Sequence, residues 1–250
     1  MKTKYTLLLS LLLIFVGCNR VKKNEFRISG SLDGGNNKFL YFMEMTPEGF
    51  KALDTIALSE SGDFSFRSKY AEPKIYILQI NDNNYITLIP SPKEDIKLKG
   101  HFNAFSASYA VENSPESELL HRLNKEYIHT NEVLRELEQT LFDHKYSDDF
   151  EEVREEVYEM YKILQLRQTE MIRGFLKENP GSLSSIIALY RKFDNHYLFS
   201  LKTDLDVYEE VYEELNKTMP NNPHTLGLKS LINRAKRMNE KERMRNASQE

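Results

Sequence analysis

The chain offers few groups that could carry out covalent chemistry, and the most distinctive of them is a single thiol. Cys18 is the only cysteine among 250 residues. Thiol–disulfide exchange needs an attacking thiolate and a second thiol that resolves the intermediate. With one cysteine and no Cys-x-x-Cys pair, this chain cannot perform that exchange by itself.

The other candidate groups do not combine into a catalytic or metal-binding motif. No two of the six histidines have metal-ligand spacing, and His-Glu-x-x-His is absent. Asn81-Asp82-Asn83-Asn84 lacks the glycine and the distal glutamate of an EF-hand loop, which favours a hairpin turn. The acidic residues between positions 148 and 156 favour a helix start, where they stabilise the helix dipole. We therefore predict no catalytic residue, no metal, no cofactor and no enzymatic activity.

The residues before Cys18 predict a secretory signal peptide over residues 1–17. Lys2 and Lys4 give a positively charged start, and the apolar run of residues 5–16 is shorter than the roughly 20 residues of a membrane-spanning helix. The ending Phe15-Val16-Gly17-Cys18 resembles the lipobox of bacterial lipoproteins, although Phe15 stands where that family usually has Leu. The resemblance implies cleavage between Gly17 and Cys18 and attachment of fatty acyl chains, such as palmitate, to Cys18. A spanning helix and a plain secreted protein are the alternatives.

Lipidation would tether the mature protein to a membrane through Cys18 and the polar residues 18–25. Asn19 follows the cysteine where Asp would, by resemblance to known sorting rules, retain a lipoprotein in the inner membrane. We therefore expect a cell-envelope protein at the outer membrane, facing the periplasm. The formal net charge of −4 becomes −6 without Lys2 and Lys4, which argues against nucleic acid as a partner.

Hydrophobic periodicity divides the mature chain into two halves. Residues 26–112 alternate apolar and polar side chains in short runs separated by Gly and Asn turns, which predicts an antiparallel β-sandwich or barrel. Residues 113–238 repeat apolar side chains at steps of three and four, which predicts an all-helical domain with a long antiparallel helical hairpin. The fold class is therefore α+β. Ser114 and Asp148 are the predicted N-caps of the hairpin helices, and residues 239–250 should form a frayed polar tail.

Three short runs in the first half resemble one known family. They are Phe26-Arg27-Ile28-Ser29-Gly30, Leu53-Asp54-Thr55-Ile56 and Gly62-Asp63-Phe64-Ser65-Phe66. They resemble the domain of unknown function 4369, found at the N-terminus of lipid-anchored envelope proteins. In many relatives a thioredoxin-fold oxidoreductase domain follows, but these 250 residues contain no redox motif to which that activity could be transferred.

Aromatic side chains of the helical half supply the remaining candidate site. A groove between the helices and the sandwich could be lined by tyrosines, although core packing is the alternative reading of the same residues. The candidates are Tyr158, Tyr161, Tyr190, Tyr197, Tyr208 and Tyr212.

Two functional hypotheses follow from the sequence. The first is a lipid-anchored, non-catalytic envelope protein that binds a ligand or a protein partner, or acts as a scaffold. The alternative is an accessory subunit that positions a separate thioredoxin-like thiol–disulfide oxidoreductase, a hypothesis that depends on family analogy alone.

Overall fold

A computed structural model describes residues 21–247 of the chain. The predicted signal peptide over residues 1–17, the cleavage position at Gly17 and the lipid attachment at Cys18 lie outside the described residues. Within residues 21–247, none of the helices combines the length and the apolar character that a membrane span requires.

Eight strands form a sandwich of two four-stranded sheets, which confirms the predicted β-rich N-terminal half. One sheet has the order β4-β1-β7-β8 and the other the order β3-β2-β5-β6. Neighbouring strands are antiparallel except β1 and β7, which pair in parallel. The strands are β1 Glu25–Asp33, β2 Phe39–Thr46, β3 Gly49–Ala57, β4 Asp63–Lys69, β5 Ile75–Asn81, β6 Asn84–Leu88, β7 Asp95–His101 and β8 Ala110–Glu112.

The alternating side chains of these strands meet between the two sheets, where Phe26, Ile28, Leu40 and Leu78 are fully buried. The parallel pairing brings Gly30 against Leu98, so close that a Cβ on Gly30 would lie 2.1 Å from the Leu98 carbonyl oxygen. A side chain at this position is therefore incompatible with the observed spacing of β1 and β7.

The second half of the chain is mainly helical and contains the predicted hairpin. The helices are α1 Phe105–Ser108, α2 Pro115–Asp143, α3 Phe150–Glu178, α4 Ser184–Leu189, α5 Leu205–Thr218 and α6 Pro223–Ala247, with a short β9–β10 hairpin at Lys192–Phe193 and His196–Tyr197. The hairpin helices α2 and α3 pack side by side, and Thr130 Oγ1 donates to Gln168 Oε1 at 2.7 Å between them.

Three details of the helical half differ from the sequence predictions. Ser114 is the N-cap of α2, but its hydroxyl donates to Ser117 Oγ instead of accepting from the backbone. The N-cap of α3 is Asp149, not Asp148, and it makes no side-chain capping bond. Residues 239–247 are helical and continue α6, since Glu, Lys, Arg and Met favour helix without an apolar stripe.

The two halves share part of their cores. Ile75 and Ile89 of the sandwich belong to the apolar cluster of the helical domain, with Leu120 and Leu123 of α2. The hydroxyl of Ser117 accepts a hydrogen bond from the Ile89 backbone at 3.0 Å, which fixes the start of α2 at the end of β6. The sandwich and the helices therefore enclose a space between them.

Candidate ligand-binding cleft

A cleft of about 460 Å³ lies between the sandwich and the helical domain. Strand β6, the α1 segment, one face of α2, and the end of α4 all contribute to its walls. This volume falls within the range of about 300 to 1,000 Å³ that is usual for small-molecule sites. The lining residues that carry the following argument are Tyr85, Tyr109, Asn124, Tyr127, Ile186 and Arg191.

Asn84 holds the α1 segment in place along one edge of the cleft. It is 8% exposed, and its amide nitrogen donates to the Phe102 carbonyl at 2.8 Å while its amide oxygen accepts from the Ser106 backbone at 2.9 Å. Asn84 ends the Asn81–Asn84 turn, which forms the β5–β6 connection as the sequence predicts. The polar turn therefore joins two strands and also positions a wall of the cleft.

Tyr109 follows α1 and closes the inner part of the cleft. It is 5% exposed, and its ring lies edge-on to His121 of α2, with 4.3 Å between ring centroids. Burial raises the pKa of Tyr109, so its hydroxyl stays protonated near neutral pH. Burial also lowers the pKa of His121, and the nearby Lys125 and Arg122 lower it further.

Helix α2 presents a stripe of residues to the cleft at helical spacing. The residues of α2 that line the cleft lie on one face of the helix, and they are Leu120, Asn124, Tyr127, Ile128 and Asn131. The Asn124 side chain also donates to the Ser106 carbonyl at 3.4 Å, which links α2 to the α1 segment. The sequence pattern explained Tyr127 only as one of the side chains that repeat at steps of three and four along the hairpin. In the structure it also lines the cleft.

Arg191, just after α4, is the only charged residue that lines the cleft within the described part of the chain. Its Nη2 donates to Asn124 Oδ1 at 3.3 Å, and its Cζ lies 4.7 Å from the centroid of the Tyr127 ring. Its Nε is buried without a hydrogen-bond partner, and no carboxylate in residues 21–245 forms an ion pair with it.

Burial lowers the pKa of Arg191, and Tyr127, Tyr85 and Tyr109 partly oppose this effect. A guanidinium nevertheless stays protonated in proteins. The cleft therefore holds one positive charge, surrounded by aromatic rings from three separate elements.

The six tyrosines suggested by the sequence do not come together in this cleft. Only Tyr190 lines it, and Tyr190 contacts Tyr197 and Tyr208 at centroid distances of 6.4 and 6.2 Å. Tyr208 is buried and donates to the Phe199 carbonyl at 2.9 Å, and burial raises its pKa to about 12.

The other three tyrosines have separate surroundings. Tyr161 packs against Phe193, Tyr212 packs on the helical core, and Tyr158 is 60% exposed on the hairpin. The sequence reasoning did not single out Tyr85, Tyr109, Tyr127 or Arg191, which line the cleft. The available signal was an arginine directly after an apolar run, in the sequence Ile186-Ile187-Ala188-Leu189-Tyr190-Arg191.

A second groove, of about 640 Å³, lies beside α6 but has a different character. Leu231, Ala235 and Met238 form an apolar floor, and its rim is charged and open. Lys202 and Glu242 of the rim form an ion pair at 3.5 Å. Because its charged groups lie at an open rim, this groove has no buried charge that requires a ligand. Elsewhere, residues 21–245 contain no group of three His, Cys, Asp or Glu arranged to hold a metal ion.

Part of the chain matches a known protein family. Residues 26–120 match the family described as domain of unknown function DUF4369. The match covers the whole sandwich, the α1 segment and the first turns of α2. No curated protein and no solved structure matches the chain.

Proposed function

We propose that this protein is a non-catalytic binding module of the cell envelope. Its ligand site is the cleft between the sandwich and the helical domain, and Cys18 anchors it to a membrane. The region that matches DUF4369 supplies β6, α1 and the start of α2 to the cleft. The observation that carries this proposal is the unneutralised Arg191 within an aromatic cleft of small-molecule size. A structural role alone does not require a half-buried arginine whose Nε is buried without an ionic partner.

The cleft assignment is tested by closing the cleft with a bulky side chain. Ala107 is exposed on α1 and lines the cleft, whereas Ala104 is exposed in the preceding turn and does not line it. We expect native mass spectrometry of protein extracted from its own membranes to find a bound small molecule in wild type and in Ala104→Trp. Ala107→Trp should lose at least about 90% of this occupancy, since an indole fills a large share of such a volume. Equal occupancy in both variants would place the ligand elsewhere.

The anchor is tested separately, by metabolic labelling with a fatty acid. The wild-type chain should incorporate label, whereas Cys18→Ala should not. One acyl chain binds a membrane only reversibly, so stable anchoring needs more than one. A labelled Cys18→Ala protein would contradict the lipoprotein assignment. Fractionation of the labelled wild type then distinguishes the proposed outer-membrane location from the inner membrane.

A second candidate function is the accessory subunit that positions a thioredoxin-fold oxidoreductase. The observation that favours a protein partner is the outer surface of α3, where Met160, Ile163 and Leu166 are 47%, 59% and 64% exposed. Ile163→Arg should abolish a cross-link from this helix to such an oxidoreductase, and Glu159→Arg, a neighbouring charged position, should keep it. Unchanged cross-linking in Ile163→Arg would argue against this surface as the contact.

A further inference from the structure

The charge in the cleft limits the class of ligand that fits there. Burying an ion without a counterion is unfavourable. Among the described arginines, only Arg27 and Arg191 are half-buried, and the others are exposed. Arg27 pairs with Asp95, and Arg173 pairs with Asp204 at 3.4 Å. The Arg191 side chain has instead one hydrogen bond, to the neutral amide of Asn124, and a stacking contact with Tyr127. An anionic ligand would supply the missing partner.

The ligand should carry a single negative charge. Arg191 is the only charged side chain among the described residues that line the cleft, so a dianion such as a phosphate monoester would bring one charge in excess. His121 contacts Tyr109 but does not line the cleft, and burial disfavours its protonated form. A guanidinium matches the planar carboxylate, with which it can form two parallel hydrogen bonds.

The walls indicate what is attached to that carboxylate. Tyr85 and Tyr127 offer ring surface, and Ile128 and Ile186 offer aliphatic surface. Asn124 and Asn131 are the amides on the α2 side, and they can orient a ligand without adding charge. A flat or aliphatic apolar body is therefore the complement of these walls.

We propose that the cleft binds a monocarboxylate with an aromatic or aliphatic body, and that the carboxylate pairs with Arg191 while the body lies against Tyr85 and Tyr127. This inference depends on the proposed function, because it names the ligand class of the same cleft. The shared chemistry is a carboxylate on an apolar group, which either a free small acid or the C-terminus of a peptide could supply.

The test uses matched acids and amides on the purified protein in mild detergent. The probes are 3-phenylpropionate, N-acetylphenylalanine and the peptide Gly-Gly-Phe, each compared with its carboxamide, and phenyl phosphate as a dianion. Binding is measured by isothermal titration calorimetry and by the shift of the Arg191 Nε–H resonance in nitrogen-15 NMR spectra. Arg191→Lys identifies that resonance and keeps the charge, whereas Arg191→Gln removes it.

We expect at least one acid to bind about ten- to a hundredfold more tightly than its carboxamide and than phenyl phosphate, as expected for a hydrogen-bonded charge pair. Arg191→Gln should remove that difference, and Arg191→Lys should keep part of it. Preference for the free acids or for the peptide identifies the source of the carboxylate, and either preference supports the proposal.

Equal affinity for acid and amide, retention of the preference in Arg191→Gln, or no binding of any acid at 20 mM would overturn the proposal. If Arg191→Gln fails to fold, the acid–amide comparison on the wild type decides by itself. These failures are distinct from failure of the cleft assignment, since the Ala107→Trp experiment detects a bound molecule of any charge.

Discussion

At the start of α6, the polar side chains that bridge the two domains are hydrogen-bonded, whereas the charged group in the cleft is only partly hydrogen-bonded. The Asn222 amide donates to the Pro73 carbonyl at 2.8 Å, and the His224 ring nitrogen Nε2 donates to the Met45 carbonyl at 3.1 Å. In the cleft, Arg191 Nε and the adjacent His121 Nδ1 are buried without partners. The α6 side also leaves Thr225 Oγ1 unpaired, but a neutral hydroxyl costs much less than a charged group.

If the cleft binds a ligand as proposed, this difference separates a structural contact from a binding site. A contact that only holds two domains together is most stable when each buried donor meets an acceptor. A site that must also exchange a ligand has donors that the protein itself does not satisfy, at a cost in stability. Substitutions on the α6 side should therefore reduce stability, and substitutions in the cleft should reduce binding.

The largest effect on stability is expected for Asn222→Ala. Asn222 is 4% exposed, and its side chain makes two hydrogen bonds. The amide nitrogen donates to the Pro73 carbonyl, and the amide oxygen caps α6 by accepting from the His224 backbone N–H at 3.0 Å. Loss of a cap costs about 1 kcal/mol and loss of a buried hydrogen bond about 1–3 kcal/mol, so we expect a decrease of about 2–4 kcal/mol in urea denaturation. The neighbouring and exposed Asn221→Ala is the control, and equal losses in both variants would refute the bridging role.

A smaller, pH-dependent effect is expected from His224, on the same side. Burial lowers its pKa below the usual value of 6.5, although Met45, Glu44 and Glu48 partly oppose the shift. Because the folded protein disfavours the protonated ring, the stability from this residue is full above about pH 6.5 and decreases as the pH falls below that value.

The pH dependence of unfolding measures this contribution. His224→Gln keeps a donor that can reach the Met45 carbonyl but has no titratable group. The wild type should therefore lose more stability than His224→Gln between pH 7 and pH 5. Curves that stay parallel over this range would show that His224 does not contribute to the pH dependence. His121 titrates in both proteins, so it does not affect the comparison.

The sequence predicted the architecture much better than the site. Alternating side chains in β1 to β7 and the three–four spacing of α2 and α3 depend on local burial, which a periodic pattern records directly. The short β8 and α1 were missed because residues 102–112 carry no sustained period. The extension of α6 to Ala247 was missed because helix propensity acts there without an apolar stripe.

The cleft could not be predicted because its defining property is a relation between distant residues. Tyr85, Tyr127 and Arg191 belong to a strand, a long helix and a loop, and each has an ordinary local explanation. Whether an arginine is buried without a carboxylate depends on which acids the fold brings near it, and periodicity does not contain that information. The resemblance of residues 26–66 to DUF4369 identified the domain but assigned no ligand-binding residue within it.

The smallest change in the free energy of unfolding is expected for Arg191→Met in the protein without ligand. This result would contrast with the large loss expected for Asn222→Ala. The substitution removes the stacking contact with Tyr127 and the bond to Asn124, but it also removes a half-buried charge that has no ionic partner. Cation–π contacts contribute about 0.5–2 kcal/mol, and replacing a poorly paired buried ion by an apolar group of similar volume is often neutral or stabilising. Urea denaturation should therefore show a change within about 1 kcal/mol, or a gain. A loss above about 2 kcal/mol would show that Arg191 serves the interface as Asn222 does, and the two sides of the interface would then have the same role.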